Sequence, residues 1–195
     1  MARQIFTYLI ILFVLFVIST CEKDTNFLIS NNTNNTIDSP ILFVRYYTNY
    51  AWGFSYSGWY VDIEGQIYET DENSYLRLEC LKHDSIISAE MMVELLQSSD
   101  KTTRKLSQPI LSEMKRLIIP ASLGHLTEPV SGCRDFGTIC YFTFIRDQDN
   151  NSYRSILLYQ AGDWSQKNLS QEAKELFELL REHVENDTTQ LPCSQ

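Results

Sequence analysis

Four rhythms of apolar side chains succeed one another along this chain. The first has no period: Ile5–Ile18 runs for fourteen residues without a charge, with Arg3 ahead of it and Ser19-Thr20-Cys21 behind. A polar stretch follows, Glu22-Lys23-Asp24 and then Asn31-Asn32-Thr33-Asn34-Asn35-Thr36, with too little apolar surface to offset the entropy of ordering it. It reads as a tether that ends at Pro40. From Ile41 the composition turns β-branched and aromatic, and Ile41-Leu42-Phe43-Val44-Arg45-Tyr46-Tyr47 is what a strand requires. Between Ser57 and Ile63 the alternation puts Trp59, Val61 and Ile63 on one face and Gly58, Tyr60 and Asp62 on the other. Glu64-Gly65 supplies a turn, because glycine accepts positive φ, and Gln66–Glu69 returns as the partner strand.

Helical spacing takes over next. Ile87, Met91, Met92, Leu95 and Leu96 predict one helix, capped by Asp84 or Ser88. Ile110, Leu111, Met114, Leu117 and Ile118 predict a second, with Ser107 as cap, Pro109 in the first turn and Pro120 just past the end. A second hairpin pairs Thr138–Ile145 with Tyr153–Tyr159 around the polar turn Asp147–Asn151, and these are expected to be the central strands. A final helix starts at Ser170 and turns Ala173, Leu176, Phe177, Leu180 and Val184 inward. The order ββ-αα-ββ-α predicts an α+β fold, an antiparallel sheet of two β-hairpins on which about three helices bury their apolar stripes. The expected division is 1–20 export signal, 21–39 tether, 40–187 one domain and 188–195 flexible tail.

At about 1.5 Å per residue the apolar run reaches roughly 21 Å, short of a hydrocarbon core of about 30 Å, so it reads as a signal peptide. Val17-Ile18-Ser19-Thr20-Cys21 resembles a bacterial lipobox, in which the cysteine becomes residue one and carries acyl chains. Ile18 stands where leucine is usual, and Thr20 where a smaller residue is usual. The alternatives are an uncleaved anchor and a plain secreted protein, and each keeps the domain outside the cytoplasm. Lipid at Cys21 would make the membrane a partner through several acyl chains, which anchor where one does not.

Removing residues 1–20 takes one of 16 basic residues and none of 25 acidic ones, leaving a net charge of −10. Nucleic acid and anionic lipid are therefore not expected as partners. With Cys21 given to lipid, Cys80, Cys133, Cys140 and Cys193 form an even set in an exported chain. Cys133 with Cys140 is the favoured disulfide, since six residues separate them and Gly132 and Gly137 permit a bend; Cys80 would then take Cys193. Free buried thiols are the alternative.

Candidate chemistry is sparse, and no cofactor or metal is expected. Gly53-Phe54-Ser55-Tyr56-Ser57 lacks the last glycine of a nucleophile elbow, and His83, His125 and His183 stand in no catalytic setting. Asp147, Asp149 and Asn151 open like a calcium loop, but Ser152 and Leu158 occupy the positions of its glycine and closing glutamate. Asp62 and Glu64 could serve as a glycosidase pair, although acids beside a glycine turn are mostly solvated. What stands out is aromatic density: Tyr46, Tyr47, Tyr50, Trp52, Phe54, Tyr56, Trp59 and Tyr60 lie within fifteen residues. Tyr50, Trp52, Phe54 and Tyr56 are the candidate binding residues, because rings with polar tips suit sugar stacking or a protein interface. Plain sheet packing is the competing explanation.

Tyr50-Ala51-Trp52-Gly53, Ser57-Gly58-Trp59-Tyr60-Val61-Asp62, Gly65-Gln66-Ile67-Tyr68, Tyr159-Gln160-Ala161-Gly162-Asp163-Trp164 and Glu172-Ala173-Lys174-Glu175-Leu176 together resemble uncharacterised lipoproteins of Bacteroides-type Gram-negative bacteria, over most of residues 41 to 185. Glu22-Lys23-Asp24 is similar to the acidic signal that sends some of those lipoproteins to the outer face. The resemblance implies an outer-membrane lipoprotein and transfers no catalytic residue. The expected function is a lipid-anchored, non-enzymatic envelope module that binds a glycan or a protein, with an envelope hydrolase acting on glycans or peptidoglycan as the alternative.

Overall fold

The computed structural model describes residues 37–51, 53–70, 81–147 and 151–185, all within one unit of the chain, Asn35–Gln195. Cys21, Trp52, Cys80 and Cys193 lie outside the described residues, as do the stretch expected to be an export signal and nearly all of the expected tether. Just before Pro40, Ile37 packs against the core, Ser39 is buried, and Asp38 pairs with Arg146.

Nine antiparallel strands form the sheet: β1 Ile41–Asn49, β2 Ser55–Asp62, β3 Gln66–Thr70, β4 Ile86–Ser88, β5 Asp100–Lys105, β6 Val130–Ser131, β7 Thr138–Asp147, β8 Ser152–Gly162 and β9 Trp164–Lys167. They lie in the order β5-β3-β2-β1-β7-β8-β9-β6, with β4 also on β8. Among the described residues three helices accompany them: α1 Ala89–Gln97, α2 Gln108–Ser122 and α3 Gln171–Leu180, the last continuing into a π-helical turn, Arg181–Glu185. Both predicted hairpins are present, and β7 and β8 lie inside the sheet as expected. The chain is therefore α+β and antiparallel, but its element order is not ββ-αα-ββ-α.

The difference has a clear origin. β5 separates the two middle helices, and its sequence, Asp-Lys-Thr-Thr-Arg-Lys, carries no apolar alternation. Its strand character comes from pairing with β3, reinforced where Gln66 Nε2 donates to the carbonyls of Thr102 and Arg104 at 2.7 and 3.0 Å. Ile87 is a second correction, since it belongs to β4 and not to the first helix. Ser88, not Asp84, caps α1, its hydroxyl accepting the Met91 amide. Pro120 lies inside α2, a third correction, because in the last turn a missing N–H costs one bond and the helix closes two residues later.

Side chains from the two faces of the sheet build two cores. On one, α2 and α3 bury Leu111, Met114, Leu117, Leu176 and Leu180 against Phe43, Trp59, Val61 and Tyr141. On the other, α1 lays Met92 and Leu95 into a cluster that includes Val44, Tyr60, Cys140 and Phe142. Trp59 and Val61 thus fall opposite Tyr60, as the alternation requires. Ser170 caps α3 through its hydroxyl, and Ala173, Leu176 and Leu180 face inward. Among the described residues no helix is long and apolar enough to cross a membrane.

Cys140 corrects the favoured disulfide. It is a free, buried thiol on β7, turned into the second core, while Cys133 is disulfide-bonded and sits half-buried in the loop before β7. Strand alternation, which a spacing of six residues does not reveal, turns the Cys140 sulfur away from the loop. Burial pushes this thiol up to about 12, partly offset by Tyr46. A folded-state value above the ordinary one means that the contribution to stability is intact below about pH 9 and is lost as pH rises toward 12. Native protein at pH 8 is expected to leave Cys140 unmodified by iodoacetamide while urea-unfolded protein is alkylated there, and the urea midpoint should fall above pH 9. Equal labelling of both states by peptide mass would contradict this.

Candidate binding surface

The aromatic segment splits into three environments. Tyr46, Trp59 and Tyr60 are core residues, Tyr47 and Tyr56 are half-buried, and Tyr50 and Phe54 are exposed at 60% and 44%. Half of the plain-packing explanation is therefore correct. Tyr56 points back toward the second core, and its hydroxyl accepts from the Thr70 hydroxyl at 3.0 Å. Tyr50 and Phe54 sit on the connection between β1 and β2, their rings 5.6 Å apart and tilted by 45°. Gly53, at φ +112, reverses the chain between them. Of the four candidate residues, two thus share one exposed tip, Tyr56 is drawn into the sheet, and Trp52 lies outside the described residues.

A second aromatic group is buried and polar. Arg45 on β1 stands directly between Trp59 on β2 and Tyr141 on β7 in one cross-strand row. Glu185, at the end of the π-helical turn, closes over it. Its carboxylate accepts from Trp59 Nε1 at 3.3 Å and from Tyr141 Oη at 2.9 Å, and lies 3.2 Å from Arg45 Nε in a charge contact off the N–H axis. Burial first, then the Glu185 charge, holds the Tyr141 phenol above its usual range, partly offset by Arg45. Phe177 stacks on Tyr159 at 4.3 Å and meets Tyr141 edge-on at 4.9 Å, sealing the row from above. This network fastens the C-terminal helix to the sheet. It was missed in the sequence because Arg45 and Glu185 are far apart in the chain.

Several of the catalytic candidates hold structural contacts. Asp62 Oδ1 accepts the amides of Glu64 and Gln66, and Oδ2 accepts the Tyr68 hydroxyl, so this carboxylate holds the β2–β3 turn together. Ser55 opens β2 and stands on no strand-to-helix elbow. His83, Asp84 and Ser155 do come together. The His83 Nδ1, however, accepts the Leu157 amide at 3.2 Å, its Nε2 faces Asp84 at 3.5 Å, and the buried Ser155 hydroxyl donates to the Lys82 carbonyl. Neither imidazole nitrogen addresses the serine, which nucleophilic catalysis would demand. Asp149 lies outside the described residues, and Asp147 accepts from Ser152. A shallow depression of about 380 Å³ runs along α1, lined by Ala89, Glu90, Val93, Glu94 and Gln97, with neither nucleophile nor histidine.

Four exposed aromatic side chains occur among the described residues: Tyr50, Phe54, Phe136 and Trp164. All four belong to one end of the sheet, where Thr48, Thr138 and Gly162 pair across β1, β7 and β8. No protein-family model matches the chain, and no curated protein matches it either.

Proposed function

We propose that this protein is a lipid-anchored lipoprotein of the bacterial cell envelope, a non-enzymatic module that binds a glycan or a protein through the tip between β1 and β2. The observation that carries the reading is the exposed Tyr50–Phe54 pair, two rings held in contact on a connection that the sheet keeps in place. Large rigid side chains lose little conformational entropy on binding, so leaving two of them in solvent at one tip suits recognition. The address rests on the apolar run and Cys21, the outer-membrane location on Glu22-Lys23-Asp24 and the resemblance, and the kinship with Bacteroides-type lipoproteins on the motifs between residues 41 and 185. No observation favours the hydrolase alternative.

Tyr50→Ala and Phe54→Ala are expected to weaken partner binding by about fivefold to tenfold each while leaving the melting temperature within 1–2 °C, because neither ring supports the core. Unchanged retention of envelope glycans and proteins by both variants would overturn the binding tip. The anchor is checked separately: the membrane-extracted protein should have the mass of residues 21–195 plus acyl groups. Unprocessed polypeptide in the cytosol would overturn it.

A further inference from the structure

The exposed rings at this end of the sheet come from segments far apart in sequence, and a chain of hydrogen bonds holds them in one neighbourhood. Asn49 Nδ2, beside Tyr50, donates to the Asp135 carbonyl at 3.2 Å. The next residue is Phe136, whose amide donates to Asp163 Oδ1 at 3.0 Å, while the Asp163 amide returns to the Gly137 carbonyl at 2.7 Å. Trp164 follows directly and pairs with Ser131. Tyr50, Phe136 and Trp164 are each one residue from a member of this chain, and Phe54 touches Tyr50. Two positive-φ residues, Asp135 at +68° and Gly137 at +73°, shape the loop that lifts Phe136 to 52% exposure.

Resting on the reading of the tip as a binding site, we infer that the site is a composite aromatic rim, Tyr50, Phe54, Phe136 and Trp164, and that its ligand is a neutral polysaccharide lying across the sheet end from the β1–β2 tip to β9. The character of the rim selects a sugar over a protein. Protein interfaces bury a continuous apolar centre from which charged residues are depleted. Here Asp135 and Asp163, of a residue type depleted at such centres, belong to the hydrogen-bonded chain beside the rings. Such a surface offers apolar faces to sugar rings and polar groups to their hydroxyls without the cost of burying a charge. The net charge of −10 after residue 20 sets the remaining requirement: an anionic polysaccharide would be repelled, so the ligand is uncharged. Asp163 acts as a positioning residue, holding the Phe136 loop against the start of β9.

Affinity electrophoresis of the full mature chain through gels containing a neutral β-glucan, a xylan, a mannan, dextran or polygalacturonate tests the proposal. Retardation is expected with at least one neutral polymer and not with polygalacturonate. Trp164→Ala, Phe136→Ala and Tyr50→Ala should each weaken it about fivefold or more at unchanged melting temperature, while Trp164→Phe retains most of it. Asp163→Asn should reduce retardation less than loss of a ring, and more for long chains than for short oligosaccharides. If Tyr50→Ala abolishes binding and neither Phe136→Ala nor Trp164→Ala changes it, the composite rim is wrong and the tip stands alone. Retention of a protein with no neutral polymer bound overturns the sugar ligand and leaves the tip intact. Retardation only by polygalacturonate overturns the proposal as well.

Discussion

Gly162→Ala is expected to destabilise the fold by about 3–4 kcal/mol, whereas Gly53→Ala should cost no more than about 1–2 kcal/mol. The two positions share nearly the same backbone strain, φ +116 and +112, so the conformational penalty of adding a side chain is common to both. What separates them is space. A Cβ at Gly162 would lie 2.0 Å from the Gly137 carbonyl oxygen and 3.1 Å from Thr138 Cα, backbone atoms at the start of the interior strand β7 that cannot step aside. At Gly53 nothing lies within 4 Å. The clash at Gly162 would push β7 and β8 apart at the end that carries Phe136 and Trp164, so the variant should also lose polysaccharide retardation before it unfolds. Urea unfolding of both variants decides the point: equal losses would mean that the close approach of Gly137 and Gly162 is not a feature of the folded protein.

Glu185→Ala should cost about 3 kcal/mol. The carboxylate is the shared partner of a half-buried arginine, an indole and a phenol; its removal takes the acceptor from the indole and the phenol and leaves the Arg45 charge with only its hydrogen bonds to Ser57. Breaking a buried ion pair from one side costs about 3–5 kcal/mol, and the residual 20% and 12% side-chain exposure of Arg45 and Glu185 moves the expectation to the lower end. Removing both charges is predicted to behave differently. Arg45→Met with Glu185→Leu should come within about 1 kcal/mol of the parent, since well-packed apolar pairs often replace buried ion pairs without loss. A single variant that melts like the parent, or a double variant that is worse than the single, would refute the role assigned to this network. Because Glu185 ends the π-helical turn, Glu185→Ala should also expose the 181–185 backbone to hydrogen exchange before the rest of the chain.

Elements with strong local periodicity could be read from the residues alone. The final helix was legible because Ser170 and its inward stripe state both its start and its buried side, and the β7–β8 hairpin because two β-branched and aromatic runs flank a polar turn. β5 was not, since Asp100–Lys105 carries no alternation and is a strand only by virtue of Gln66 and the β3 backbone. The Cys133–Cys140 pairing failed for a related reason: proximity in sequence says nothing about which side of a strand a sulfur leaves from. Among the aromatic candidates the sequence could not separate the exposed Tyr50 and Phe54 from the half-buried Tyr56, because all three are aromatic side chains within seven residues and burial is decided by the sheet.

The amino-acid sequence by itself determined the apolar run at residues 5–18, the acidic balance, the alternation in β2 and the capped amphipathic helices, all properties of neighbouring residues whose physics is local. Only the tertiary structure decided which aromatic rings remain in solvent. With helices over both faces of the sheet, either parity of a strand can be buried, so alternation loses its power to separate inside from outside. Exposure then falls at the sheet's end, where the segments carrying Tyr50, Phe54, Phe136 and Trp164 are joined by hydrogen bonds, that between Asn49 and Asp135 linking residues 86 apart in sequence.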